Sequence, residues 1–258
     1  MVTTQALSTP PDILQLLAHR VRWQLLSALA RSDRRVSELV RQVGQPINLV
    51  SYHLKRLKQY GLVAERRSSA DSRAVYYSVN LARVRALLTE SGEALHPALG
   101  SMEPQPLTHT SAGRVKPTRV LFLCTHNSAR SQMAEGIMRH LGKGRVEVFS
   151  AGNEPGTVHP YALKILREMN IDISSHRSKY LNEFIDQRFD YIITVCDRVR
   201  ESCPVFPGDP EHIHWSFPDP AEVQGDADRM RAFDLTAHQL QLRIQQLLIL
   251  IDRERGGK

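Results

Sequence analysis

A chain of 258 residues with 41% hydrophobic residues has the composition of an ordinary soluble protein and can bury one large core or two small ones. Its longest strongly apolar run, residues 247–251, is far too short to span a bilayer, and MVTTQALSTPPDILQLLAHR shows no basic segment followed by an unbroken apolar run, so neither a membrane protein nor a signal peptide is expected. The net charge of +7 lies wholly in the first hundred residues, where 14 Lys and Arg face 7 Asp and Glu, against 20 of each in residues 101–258. That asymmetry points to a nucleic-acid-binding module joined to a neutral partner. The expected location is cytoplasmic, where thiols stay reduced and a disulfide between any of the three cysteines would be catalytic or redox-sensing rather than structural.

In chain order, Ile13, Leu14, Leu17, Val21, Leu25, Leu26 and Leu29 recur at helical spacing, and a short second helix is predicted over about Val36 to Val43, capped by Ser37 or a neighbour and ended by Gly44. In QPINLVSYHLKRLKQYGLV, Val50, Leu54 and Leu57 form a buried stripe and Gly61 stops the helix. Two β-like runs, GLVAERR and AVYYSVN, flank the polar tip SSADSR, and a last helix is predicted over Leu81 to Leu95. Helix, helix, turn, helix and hairpin is the order of a winged helix-turn-helix, whose third helix would enter the DNA major groove. On that helix Asn48, Ser51, Tyr52, Lys55 and Arg56 face outward, with chemistry suited to base edges and phosphates, and Arg66, Arg67 and Arg73 flank the wing tip.

Over about residues 12–95, the segment from LLAHRVRWQLLSALARSDRRVSELV through the wing resembles the ArsR-type repressors. The resemblance implies a homodimer, paired through the first and last helices of this domain, on palindromic operator DNA. It departs from the arsenite-sensing pattern: the helix before the recognition helix reads VSELV and the module contains no Cys. An arsenite response is therefore lost, uses other ligands, or comes from the C-terminal half.

Residues 96–117, rich in Pro, Gly, Ser and Thr, read as a linker between a domain over 1–95 and another over 118–255. Beyond it RVLFLC, VEVFS, YIITVC and HIHWSF alternate with helical segments SQMAEGIMRHLG and YALKILREMN, which predicts a three-layer α/β domain with a four-stranded parallel sheet. A final helix, roughly Asp226 to Arg253, places Met230, Phe233, Leu240, Ile244, Leu247 and Ile251 on that sheet.

In CTHNSARS, Cys124 ends a strand and Arg130 follows after five residues, where a helix begins. The loop of Thr125, His126, Asn127, Ser128, Ala129 and Ser131 can wrap backbone N–H groups around a tetrahedral oxyanion, and the helix start adds positive potential that favours a Cys124 thiolate. Arg130 can grip two anion oxygens. Asn127 is expected to brace the loop, and Ser128 or Ser131 to donate a hydroxyl to Cys124. Asp219 in FPDPA stands before Pro220 after the fourth strand, a place open to a turn residue and favouring an acid.

From Arg119 to about Arg253, CTHNSARSQMAEG, FSAG and WSFPDPA resemble the low-molecular-weight tyrosine phosphatases, and VCDRVRESCP resembles within them the thioredoxin-coupled arsenate reductases. What the resemblance implies is a bifunctional arsenic-resistance protein. Cys124 attacks arsenate held by Arg130, Asp219 donates a proton, Cys196 displaces arsenite, and Cys203 resolves the disulfide for reduction by thioredoxin. Such a relay asks for a flexible, accessible loop over residues 196–203. No tightly bound cofactor is expected. Two other readings stay open: a tyrosine phosphatase tethered to DNA, needing only Cys124, Arg130 and Asp219, and a non-catalytic repressor that senses oxyanion or redox state. Ala221 and Glu222 stand where the phosphatase pattern has aromatic residues, which favours a small inorganic anion. Some of these reductases bind potassium; Asn127, Glu135 and Ser150 match its ligands, but Lys179 stands where an Asp is expected, so no potassium requirement is predicted. His126 would tune the thiolate or face solvent, and His212 and His214 are read as structural.

Overall fold

The computed structural model of the chain describes residues 9–96, 99 and 116–256. They fall into two compact units, one within Met1–Arg67 and Ala74–Thr108, the other within Ser68–Arg73 and His109–Lys258. Most of the linker expected at 96–117 lies outside the described residues.

The first unit runs α1 (Asp12–Leu17), α2 (Arg20–Leu29), β1 (Arg34–Arg35), α3 (Val36–Val43), α4 (Ile47–Gln59), β2 (Val63–Arg67), β3 (Val75–Val79) and α5 (Leu81–Leu95). The apolar pattern of residues 13–29 is divided between two helices because His19 leaves helical geometry and caps α2, its Nδ1 accepting from the Val21 N–H. Leu14 is consequently more exposed than its spacing predicts. Glu38 caps α3 by accepting from the Arg35 N–H at 2.7 Å, so the acid three residues in, rather than Ser37, ties down that end. Gly44 and Gly61 take positive φ values of 66° and 70°, the left-handed turns that end α3 and follow α4. Leu25, Leu39, Val50, Leu54, Leu57 and Leu62 are fully or almost fully buried, each contributing about 1.5–3 kcal/mol of transfer free energy. The hairpin β2–β3 is extended by the two-residue β1, antiparallel, in the order β1-β3-β2.

The second unit contains β4 (Thr118–Cys124), α6 (Arg130–Gly142), β5 (Val146–Gly152), α7 (Pro160–Glu168), β6 (Tyr191–Thr194), α8 (Asp197–Glu201), β7 (Glu211–His214) and α9 (Asp226–Gly256). Its four strands are all parallel in the order β5-β4-β6-β7. Residues Val120–Cys124 of β4 and all of β6 are buried without alternation, as in a sheet covered on both faces. Phe233, Leu240, Ile244, Leu247 and Ile251 of α9 are buried in this core, with Met230 packed at its margin. The chain leaves β4 toward β5 on one side and returns to β6 on the other. The C-terminal end of β4 is therefore the topological switch point, where open α/β sheets leave a crevice.

Candidate functional site

Cys124 ends β4 at that crevice, and the turn that follows is shaped by what its carbonyls bind. Thr125 O accepts from Glu154 N, His126 O from Gly156 N, Asn127 O from Ser178 Oγ, Ser128 O from His159 N and Ala129 O from Met133 N, all at 2.7–3.0 Å. Five consecutive carbonyls turned to the surrounding protein leave the loop's N–H groups for the concave side, and from His126 to Arg130 these have no hydrogen-bond partner among the described residues. The loop lies directly on Gly152 at the end of β5, where a Cβ would stand 2.5 Å from Thr125 O and 2.8 Å from Asn127 N. Asn127 has φ 45°, a left-handed conformation that asparagine tolerates.

One backbone donor fixes the polarity of the network beneath the loop. Lys179 N–H donates to Asn127 Oδ1 at 2.8 Å, so Asn127 Nδ2 must donate, and it does so to Ser131 Oγ and Ser150 Oγ, each at 2.8 Å. Both hydroxyls accept there: Ser150 donates its own proton to Glu135 Oε2 at 2.5 Å, and Ser131 Oγ lies 2.9 Å from Cys124 Sγ, where it donates to a thiolate and either atom donates when the sulfur is a thiol. Burial works to raise the Glu135 carboxyl, but the Lys179 ammonium 3.0 Å away, the Ser150 hydroxyl and Arg139 together hold it below its ordinary range. Gln132 links the loop to His176, whose Nδ1 donates to Gln132 Oε1 at 2.9 Å while Nε2 accepts from Arg139 Nη1 at 2.7 Å. That is the neutral tautomer, in keeping with a His176 pKa lowered by burial. Sequence reasoning named Asn127, Ser131, Glu135, Ser150 and Lys179 but missed Gln132, Arg139 and His176.

Arg130 opens α6 and is buried. Its Nη1 donates to Phe217 O at 3.1 Å, its Nη2 is engaged by Asp219 Oδ2, and its buried Nε has no partner among the described residues. Asp219 Oδ1 meanwhile accepts from Ala221 N at 3.1 Å, capping the short 3₁₀ turn Pro220–Glu222. The aspartate is thus both turn residue and neighbour of the anion loop. Burial pushes the Cys124 thiol up and the adjacent Cys196 adds to this, with Arg130 and the Ser131 hydrogen bonds pulling down without cancelling. The thiolate expected from the loop is therefore not favoured in this state, in which the guanidinium is committed to Asp219.

All three cysteines are free. Cys196 lies beside the loop, fully buried, with its Sγ 3.4 Å from Thr125 Oγ1. The segment to Cys203 is not the open loop that the sequence predicts, because Asp197–Glu201 form α8. Arg198, Glu201 and Ser202 are exposed, whereas Cys203 is only partly so, and burial pushes its thiol up to about 11. His126 is exposed at the rim, its Nδ1 3.1 Å from Glu154 O. His212 and His214 lie on β7, where His214 is buried.

In the first unit, Asn48, Ser51, Tyr52, Lys55 and Arg56 are exposed on α4, and Arg67 is exposed at the end of β2 while Arg66 is half-buried; Arg73, also exposed, belongs to the segment Ser68–Arg73 that groups with the second unit. Asn48 Oδ1 accepts from Leu49 N at 2.9 Å. His53, which sequence reasoning missed, is buried on the same helix. It packs against His19 at 4.3 Å between ring centroids, and neither ring nitrogen has a partner among the described residues.

Residues 119–256 match the family model of the low molecular weight phosphotyrosine protein phosphatases, and residues 19–65 that of the arsR family of bacterial regulatory proteins. The chain is 37% identical over 127 residues to an arsenate reductase of Halalkalibacterium halodurans, an alignment that covers 49% of this chain and 91% of that protein. It is 42% identical over 115 residues to an arsenate reductase of Bacillus licheniformis, covering 44% and 82%. A solved structure described as an arsenate reductase in oxidized state superposes with a TM-score of 0.46 at 32% identity, covering 52% of this chain and 98% of that one.

Proposed function

Because the chain belongs to the low molecular weight phosphotyrosine protein phosphatase family, we propose that the domain over 118–255 uses the family's anion loop to reduce arsenate to arsenite through three thiols. In the same proposal residues 1–95 bind operator DNA as a homodimer and 96–117 join the two. The observation that carries the reading is Cys196. A phosphatase needs one loop cysteine, whereas here a second thiol is buried against the loop, close enough to bias Cys124, and a third follows seven positions on.

The chemistry follows from the site. Arsenate entering the loop takes the free N–H groups and draws Arg130 from Asp219, and the positive field around Cys124 then favours the thiolate. The released Asp219 carboxylate takes up the Cys124 thiol proton, Cys124 Sγ attacks arsenic, and Asp219 then returns that proton so that hydroxide leaves as water. Cys196 thiolate next attacks Cys124 Sγ. A sulfur–sulfur bond forms, the sulfur–arsenic bond breaks, and its electron pair stays on arsenic, which leaves as arsenite. Cys203 attacks Cys196, frees Cys124, and leaves a Cys196–Cys203 disulfide for a dithiol reductant such as thioredoxin. A reducing cytoplasm supplies the setting in which that cycle runs.

Aryl phosphate and arsenate separate this reading from a phosphatase tethered to DNA. Arsenate turnover that disappears in Cys196→Ser and Cys203→Ser supports the relay. Efficient aryl phosphate hydrolysis that survives both substitutions, with no arsenate turnover in the unsubstituted chain, would overturn it.

A further inference from the structure

We propose that His214, together with Asp197, is a positioning residue that clamps the turn carrying Cys196; the inference rests on the three-thiol reading above. Cys196 lies between Thr194 at the end of β6 and Asp197 at the start of α8, and one imidazole holds both neighbours. His214 Nδ1 is 2.8 Å from Thr194 Oγ1, two residues before the cysteine, and His214 Nε2 donates to Asp197 Oδ1 at 3.1 Å, one residue after it. Ser216 Oγ adds a second donor to the same carboxylate oxygen at 2.7 Å. Thr194, Asp197 and His214 are each at least nine-tenths buried.

The turn needs such a brace. α8 has five residues, and the hydrogen bonds at its two ends, from Arg200 N to Cys196 O and from Ser202 N to Val199 O, are long, at 3.4 and 3.3 Å. A helix that short has little stability of its own, so tertiary contacts must set the direction of Cys196 Sγ. Attack on the Cys124 sulfur depends on that direction, and a displacement of about 1 Å costs on the order of 10²-fold in rate. The clamp grips the start of α8 and leaves residues 198–203 outside it, so Cys203 can approach when those residues unwind while Cys196 stays in place.

The step at issue is isolated in the full chain carrying Cys203→Ser, reduced and mixed with arsenate. Two thiols lose two electrons to arsenic(V), and the Cys124–Cys196 disulfide accumulates, to be read by quenched-flow and non-reducing peptide mapping. In this background His214→Phe keeps a buried ring but breaks both hydrogen bonds, Thr194→Val breaks one, and His214→Gln keeps a donor and an acceptor. The expected result is disulfide formation slowed roughly 10- to 100-fold in His214→Phe and less in Thr194→Val, with part of the rate returned by His214→Gln. Protection of Cys124 from alkylation by inorganic phosphate, which reports the anion loop alone, should keep its concentration dependence. Unchanged disulfide rates in folded His214→Phe and Thr194→Val would overturn the inference; if His214→Phe does not fold, Thr194→Val decides it. No disulfide in the Cys203→Ser parent would remove the reductase reading itself, and the clamp with it.

Discussion

The guanidinium of Arg130 is held by the carboxylate of Asp219, so the two groups proposed to bind the oxyanion and to protonate its leaving oxygen occupy each other. On the proposed reading arsenate has to compete with Asp219 for Arg130. Asp219→Ala removes the competitor and the acid together. Phosphate, as a non-reducible competitor, should bind several-fold more tightly, while kcat falls by about 10²-fold or more. Inhibition constants and turnover on the same preparation check this split; weaker phosphate binding would contradict it.

Cys203 gives a pH prediction. Its thiol is pushed up to about 11 by burial, against about 8.5 for a free thiol. The folded protein thus holds this proton more tightly than the unfolded chain, so the stability it contributes is complete below pH 8.5 and is lost as pH rises toward 11. In a Cys124→Ser, Cys196→Ser background, alkylation of Cys203 should show a midpoint near 11 in native protein and near the free-thiol value in denaturant. A native midpoint near the free value would mean that α8 is open in solution.

Lys179 and Glu135 predict an acid-side effect. The carboxylate is held low, so the stability it provides is present at neutral pH and lost as pH falls through its depressed folded value. Lys179→Met should cost up to about 3 kcal/mol at neutral pH, since a buried pair loses one partner while Arg139 still offsets part of the charge. Denaturant unfolding between pH 3 and 7 checks it, with the wild-type advantage shrinking toward the acid end. Exchange of sodium for potassium should leave wild-type turnover unchanged.

Gly152 sets a steric test. Its Cβ would lie within 3 Å of three backbone atoms of the anion loop, none of which can yield as a flexible side chain does. Gly152→Ala should retain the fold, weaken phosphate protection of Cys124 at least tenfold, and reduce turnover in parallel. Undiminished protection would mean that the loop is not seated on β5 as described.

Regular elements were readable wherever periodicity was long. All four parallel strands, α6, α7, α9, the hairpin and the helices at 36–43, 47–59 and 81–95 follow from apolar spacing and from Gly44 and Gly61. α8 was not readable, because five residues reading DRVRE carry one apolar side chain and no period. Cys196 was therefore expected on an open loop, whereas the packing of α8 buries it. Asn127 and Ser131 announce themselves by standing within the loop, but Gln132, Arg139 and His176 meet only through tertiary contact 37–44 residues apart in the chain. The role read for Asp219 as an acid gave no hint of its grip on Arg130, which depends on how the chain returns after β7.

The central claim is that Cys124, Cys196 and Cys203 act in sequence, and the most direct test is arsenate-dependent NADPH oxidation coupled through thioredoxin and thioredoxin reductase. Unsubstituted protein should sustain many turnovers, whereas Cys203→Ser should release about one arsenite per chain and stop. Absence of turnover in folded, fully reduced wild-type protein, or sustained turnover in Cys203→Ser, would contradict the relay.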